Sequence, residues 1–321
     1  MSVHCYRSFV PSHASAALSE FEWEFIYPLG LESRFRISHG DDYLGFFRSM
    51  GEATLIVTED MGRITGSIAR VKKGLRVQGA TGESVVQISA HYLCDLKVRA
   101  DYRGTLVLPH LIREAKRQIE ASESLVCYSV VMVGTDKLPT DYTGRLGVPK
   151  FEKLADITIL RLAAVNSVGK LMRCRTVSQP EILAVADDIE LLGYQSVVRD
   201  HFGGSSSTPV HLIAGNGGAC GTLADTRQVK RLFLDTGEEI ISAHLTGFRY
   251  RNAEAGGSLL KEAAEFARSA GCPAVFTAVP SSRMESLRPF LTGLNVTEAP
   301  AVVYGVGLEA GTEWWIDTSE I

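Results

Sequence analysis

The sequence predicts an α/β (α+β) chain in which one structural unit occurs twice in tandem. Three observations carry that reading. Strand-like segments alternate with amphipathic helical ones along all 321 residues. The length suits two domains. The second half also repeats the first. At an offset of 148, Tyr102-Arg103 falls on Tyr250-Arg251, Leu111 on Leu259, Glu114 on Glu262 and Ala115 on Ala263, and an apolar strand follows each matched helix. A second match, Ile-Ser-Ala-His at 88–91 and 241–244, sits at an offset of 153 and needs a gap.

Taken in order, residues 3–10 alternate as a first strand, and 13–27 and 42–50 read as helices, the latter with Leu44, Phe46 and Phe47 on its apolar side. Residues 53–58 form a strand, 59–62 a hairpin turn by their acids and Gly62, and 64–71 the return strand. A long strand spans 85–98 and a helix 106–120. The nearly continuous apolar run 125–133 suits a central buried strand. A short helix precedes a further strand at 156–162. The second half opens with a strand at 170–177 and a helix from Ser178, where Ser caps, Pro180 suits the first turn and Glu181 stands three residues on. A Gly/Ser loop covers 203–207. Strands at 211–214, 219–224 and 228–234 read as a second meander. A strand at 239–250, a helix at 256–269 and an apolar strand at 274–279 complete the order.

Composition narrows the function classes. Hydrophobic residues make up 45% and charged ones 22%, with a formal net charge of −4, which gives no bulk attraction to nucleic acid. No apolar run is long enough for a membrane-spanning helix, and the N-terminal residues lack a signal peptide's charged head and apolar core, so a cytoplasmic location is expected. The six cysteines, at 5, 94, 127, 174, 220 and 272, are scattered without a CxxC pair. Neither a disulfide framework nor a zinc site is expected, and no histidine shows metal spacing.

The stretch 94–115 joins a strand, a polar turn and a helix. Leu96-Lys97-Val98 leads into Tyr102-Arg103-Gly104-Thr105-Leu106-Val107-Leu108, and beyond the apolar strand stands Tyr142-Thr-Gly-Arg-Leu146-Gly147-Val148. In these two segments, and in their order, the N-terminal unit resembles the GNAT superfamily of N-acyltransferases. The first corresponds to the family's Arg/Gln-x-x-Gly-x-Gly/Ala turn after its fourth strand, the second to its Tyr-x-x-x-Leu-Gly-Phe motif with Val for Phe. Leu106 and Leu108 stand where the family has small residues.

The resemblance implies two GNAT-like units, 1–163 and 164–321, each a mixed, mostly antiparallel sheet flanked by helices, with the second unit degenerate. It implies acyl transfer from acetyl-CoA or another acyl-CoA to an amine of a small molecule or peptide. Alternatives are a long acyl chain delivered by an acyl carrier protein, or a non-catalytic ligand- or partner-binding protein. Leu96, Val98, Arg103, Gly104, Thr105, Leu106, Val107 and Leu108 would meet the donor, whose pyrophosphate suits the free amides and dipole of a helix N-terminus. Tyr142 would protonate the departing thiolate. Asp95 and His91, on one strand face by period two, are candidates to take the amine's proton, and the bland alternative is a structural polar residue. Arg103 either reaches a phosphate or pairs with Asp101. In the second unit Glu254 replaces the first glycine of the turn, although Ala255-Gly256-Gly257 is sterically the more open phosphate loop. No tyrosine precedes Gly293-Leu294 at the family's spacing, so that unit is expected to be the weaker catalyst. Trp314-Trp315 reads as a core plug.

Overall fold

The computed structural model describes residues 7–9, 16–29, 33–78, 85–145, 147–166, 169, 172–189, 191–196, 209–227, 230–318 and 321. The first half runs β1 (Arg7–Phe9), α1 (Ala16–Trp23), β2 (Tyr27–Leu29), β3 (Ser33–Ser38), α2 (Tyr43–Met50), β4 (Glu52–Asp60), β5 (Arg63–Gln78), β6 (Val86–Val98), α3 (Val107–Glu120), β7 (Cys127–Met132), α4 (Pro139–Tyr142) and β8 (Glu152–Ala163). The second half runs β9 (Cys174–Val177), α5 (Gln179–Asp188), β10 (Gly193–Ser196), β11 (Val210–Ala214), β12 (Ala219–Asp225), β13 (Arg231–Leu234), β14 (Ala243–Tyr250), α6 (Ala253–Ser269), β15 (Ala274–Pro280), β16 (Val296–Val306) and β17 (Trp314–Trp315). The expected hairpin turn is a two-residue loop. Met61 and Gly62 both take positive φ, 49° and 79°, the twist that lets β4 and β5 pair directly.

One large sheet holds both halves, in the order β1-β4-β5-β6-β7-β16-β8-β15-β14-β12-β11-β9. The two arms mirror each other. In the first, β4, β5 and β6 are antiparallel and α3 carries the chain over to β7, parallel to β6. In the second, β11, β12 and β14 are antiparallel and α6 carries it to β15, parallel to β14. Helices α3 and α6 therefore hold equivalent places, as the offset of 148 implies, and Leu111 and Leu259 are both fully buried beneath them. At the centre the halves exchange strands: β8 pairs with β15 of the second half, and β16 pairs with β7 of the first. Strands β8 and β16 pair with each other along the middle.

Alternate residues bury opposite faces. Leu55, Val57, Ala69 and Val71 pack on the side of α1 and α2, while Ile56 and Ile68 pack beneath α3. Helix α3 comes close because Gly66 lacks a side chain: a Cβ there would lie 2.8 Å from Val107 and 3.0 Å from Leu111. Two expectations change. The helix placed at 13–27 ends at Trp23, and β2 follows. The segment 228–234 does not continue the second meander. Its described part, β13, leaves the large sheet and pairs with β3 of the first half, joining β2 in a small three-stranded sheet. Residues 203–207 lie outside the described residues.

Candidate functional site

In each arm the parallel strands pair over only two residues and then part. In the first arm the pairs are His91–Cys127 and Tyr92–Tyr128, and in the second Ala243–Val275 and His244–Phe276. Just beyond, the outgoing strand carries a one-residue bulge, between Cys94 and Lys97 in β6 and between Thr246 and Arg249 in β14. Asp95 and Gly247 take positive φ there, 53° and 58°. With the bulges matched, the Ile-Ser-Ala-His tetrapeptides fall one residue out of step, so they are not equivalent. The chain thus has two V-shaped openings, each followed by a turn and a helix N-terminus.

The two openings differ in what fills them. In the first, Arg103, Gly104 and Leu106 are exposed, and Leu106 turns its side chain outward at 59% exposure. The N-cap residue of α3, Leu106, gives the helix no side-chain bond. Thr105 Oγ1 donates to Tyr102 O at 2.6 Å and accepts from Val107 N at 3.3 Å, while the amides of Gly104 and Leu106 donate to no group among the described residues. Gly104, at φ 80°, has open space where a Cβ would sit. Val107 is core, and Leu96, Val98 and Leu108 pack half-buried in the cluster under α3. In the second arm Asn252 caps α6 by accepting from Ala255 N at 2.9 Å. Gly256 and Gly257 are buried. Cβ atoms there would lie 2.9 Å from the Tyr250 ring and 2.4 Å from Phe290, so the loop that is small in sequence is already filled. The opening itself is bridged, leaving a small cavity lined by Gly247, Arg249, Ala278, Trp315 and Asp317. Gly247 N donates to Asp317 Oδ1 at 2.7 Å, Thr277 Oγ1 donates to Leu245 O at 3.0 Å, and the Trp315 ring meets Tyr250 edge-on at 5.4 Å.

Known structures with this arrangement exist. The chain superposes on Saccharomyces cerevisiae N-myristoyltransferase with bound myristoyl-CoA at a TM-score of 0.64, covering 95% of this chain and 79% of that one at 10% identity. It superposes on a tandem GNAT protein from the clavulanic acid biosynthesis pathway at a TM-score of 0.57, covering 94% and 98% of the two chains at 12% identity. The fold is that of tandem GNAT proteins. A GCN5-related glucosamine N-acetyltransferase region of a fungal multi-domain β-N-acetylglucosaminidase matches at a TM-score of 0.58 and 11% identity, over 95% of this chain and 38% of that one. No family model and no curated protein matches the sequence.

Within this GNAT frame the residues expected from sequence separate onto two sides of the first opening. His91 and Asp95 do not share a face. The bulge at Asp95 resets the period-two alternation, so Asp95 faces α2 while His91 faces the C-terminal end of α3. His91 Nε2 lies 2.8 Å from Ser122 Oγ and 3.1 Å from Ser124 O, and burial together with nearby Arg70 lowers its pKa. Asp95 instead joins a buried polar cluster. Tyr43 donates to Asp95 Oδ2 at 2.5 Å, and Lys97 Nζ contacts Asp95, Tyr43 Oη at 3.1 Å and Glu22 Oε1 at 3.5 Å. His39 Nδ1 lies 2.5 Å from Glu22 Oε1. Burial works against the Lys97 charge, but Asp95 and the neighbouring phenols and carboxylate hold its pKa well above the usual lysine value. Burial likewise opposes the Glu22 charge, yet His39 and Lys97 keep that carboxyl below its ordinary value. Burial, with Asp95 beside it, raises the Tyr43 phenol. Glu22, His39 and Asp95 bring three potential ligand atoms within 4.8 Å of one another, but the Lys97 ammonium already contacts two of these groups.

Tyr142 ends α4 and packs half-buried in the cluster of α3, together with Leu93, Leu96 and Val98 of β6. Burial raises its phenol pKa. Its motif partner Leu146 lies outside the described residues. Arg103 does not pair with Asp101, which is held by Arg63 at 2.8 Å. Sequence reasoning missed Glu22, His39, Tyr43 and Lys97. The available signal was Lys97 itself, a charged residue between the apolar Leu96 and Val98 inside a strand. Among the described residues no helix is long and apolar enough to cross a membrane.

Proposed function

We propose that the chain is an N-acyltransferase that takes an acyl group from acyl-CoA and passes it to the amine of a small molecule or peptide, with the donor in the first unit. One observation carries the reading: the first opening keeps a helix end whose N-cap residue gives no side-chain bond, and exposed turn amides, whereas the second has both places filled by its own residues. The pyrophosphate would rest on the amides of Gly104 and Leu106 and the positive end of α3, with Arg103 alongside. The pantetheine amides would pair with the free edge of β6 from Leu96 to Val98, which β7 has left.

The reacting thioester would then lie in the opening, with Tyr142 on the α3 side and Asp95 on the α2 side. Asp95 itself lies buried beneath α2, so the acceptor's amine would meet the thioester within the opening. As its nitrogen attacks, the C–N bond forms, the amine proton passes to Asp95 directly or through water, and Tyr142 protonates the departing thiolate. A phenol is protonated at neutral pH and burial raises the Tyr142 pKa further, so the proton is there to give. Calorimetric titration with CoA and acetyl-CoA tests the donor site, and a thiol-release screen over amines tests the reaction. Binding that is lost in Gly104→Val, with folding intact, supports the first-unit site. Binding unaffected by that change removes it.

A further inference from the structure

The segment 313–318 is tied to the rest of the chain at every step. Glu313 accepts both Arg283 bonds, at 2.7 and 2.9 Å, and its carbonyl accepts from Tyr194 N at 2.9 Å. β17 runs parallel to β10, and the fit is close: a Cβ on Gly193 would lie 2.1 Å from Glu313 O. Asp317 receives the bulge amide of Gly247, and Thr318 Oγ1 lies 3.0 Å from His244 Nδ1. The two tryptophans between these anchors point to different units. Trp315 is part of the second unit's core and fills that unit's opening against Tyr250. Trp314 is part of the first unit's core, 5.1 Å from the Tyr128 ring and 4.7 Å from Tyr194. Tyr128 in turn stacks on Tyr92 at 4.9 Å, and this pair is the point where β6 and β7 part.

One short strand therefore braces the two openings together. We infer that Asp317 is a positioning residue for the donor site of the first unit: by holding the Gly247 amide it fixes β17, and through Trp314 and Tyr128 it sets the separation of β6 and β7. This rests on the donor-site reading above. The warrant is steric. Trp314 and Tyr128 are 1% and 0% exposed, and such close-packed groups transmit a displacement instead of absorbing it. An amide at a bulge with positive φ has little freedom to find another acceptor, so loss of the carboxylate oxygen removes the tie between the bulge and β17 and lets that end of the strand shift, while Glu313 still holds its start.

The test compares the full chain with Asp317→Ala and Asp317→Asn in calorimetric titrations with CoA, at a temperature where circular dichroism shows each variant folded. Asp317→Asn keeps an oxygen acceptor for Gly247 N. The expected result is CoA binding weakened about 5-fold or more in Asp317→Ala and largely restored in Asp317→Asn. A lower melting temperature with unchanged CoA affinity in Asp317→Ala overturns the inference and leaves the donor site standing. An asparagine variant as weak as the alanine one overturns the assignment to this hydrogen bond. Should Asp317→Ala not fold, Trp314→Phe, whose smaller ring gives up part of the contact with Tyr128, is expected to weaken CoA in the same sense, and unchanged affinity there refutes the coupling. If the unmodified chain binds no CoA at all, the donor-site reading fails and the inference with it.

Discussion

Lys97 is 1% exposed and sits between Glu22 and Asp95, so its charge is what lets two acids lie buried on one side of the sheet. Its counterpart after the second bulge, Arg249, is also buried, and donates to the carbonyls of Ala186 at 3.0 Å and Ser196 at 3.3 Å. In both units a cation just past the bulge ties the strand to what lies over it. Lys97→Met keeps the length and removes the charge. It is expected to cost about 3–5 kcal/mol in urea unfolding, because the two carboxylates lose their common partner. Tyr142 is a different kind of residue, packed among apolar side chains with its hydroxyl as the only reactive part. Tyr142→Phe is expected to lower turnover about 10²–10⁴-fold while acyl-CoA affinity stays near the parent value, which steady-state kinetics beside calorimetry will read. His244 is 4% exposed, and burial, aided by nearby Lys230, lowers its pKa to about 3. Below the ordinary histidine value the unfolded chain takes up a proton that the folded one refuses. Stability is therefore full above about pH 6.5 and falls as pH drops from there toward 3, at up to about 1.4 kcal/mol per pH unit from this group. His244→Gln is expected to flatten that part of the melting-temperature profile.

Gly257 shows why α6 has its particular start: the helix lies against Phe290, and a methyl there would have to displace Phe290 Cβ at 2.4 Å and its carbonyl oxygen at 2.9 Å. Gly257→Ala is expected to destabilise the chain by about 1–3 kcal/mol in thermal unfolding without affecting CoA binding. What could be read from sequence at this scale followed the periodicity. Helix α3 buries Val107, Leu111, Ile112, Ala115 and Ile119, a stripe that its spacing announces, and α6 repeats it. Strand β16 was not legible as a central strand, because it opens with exposed Thr297 and Glu298 and carries Pro300 ahead of its apolar run at 301–306, yet it lies at the centre of the sheet. The turn at Arg103–Leu106 was legible as a strand-to-helix junction, and that Leu106 stands exposed on it was not. The placing of His91 and Asp95 on one face failed for a local reason: a single bulged residue shifts every later side chain to the other side, and sequence does not mark it. The cluster around Asp95 was out of reach because Glu22, His39 and Tyr43 come from α1, α2 and the stretch before it.

Across the whole molecule the exchange of strands makes each half incomplete. Residues 1–163 alone would leave β7 and β8 without the strand that lies between them, and residues 164–321 alone would leave β15 without β8. We therefore expect a single cooperative urea transition for the intact chain. Either half expressed alone should be unfolded or aggregated, while the two expressed together should assemble into a soluble complex, with circular dichroism and gel filtration as the readout. The order of synthesis adds a further consequence. As the chain leaves the ribosome, β7 and β8 emerge long before β16, so β7 lacks one neighbour and β8 lacks both through the making of more than a hundred residues. For that interval the nascent chain offers one edge of β7 and both edges of β8 to any neighbour, and the strand that joins them is made only near the end. Slowing translation between β8 and β16 should thus raise the aggregated fraction, and chaperones that mask strand edges should matter more for this chain than its final stability would suggest.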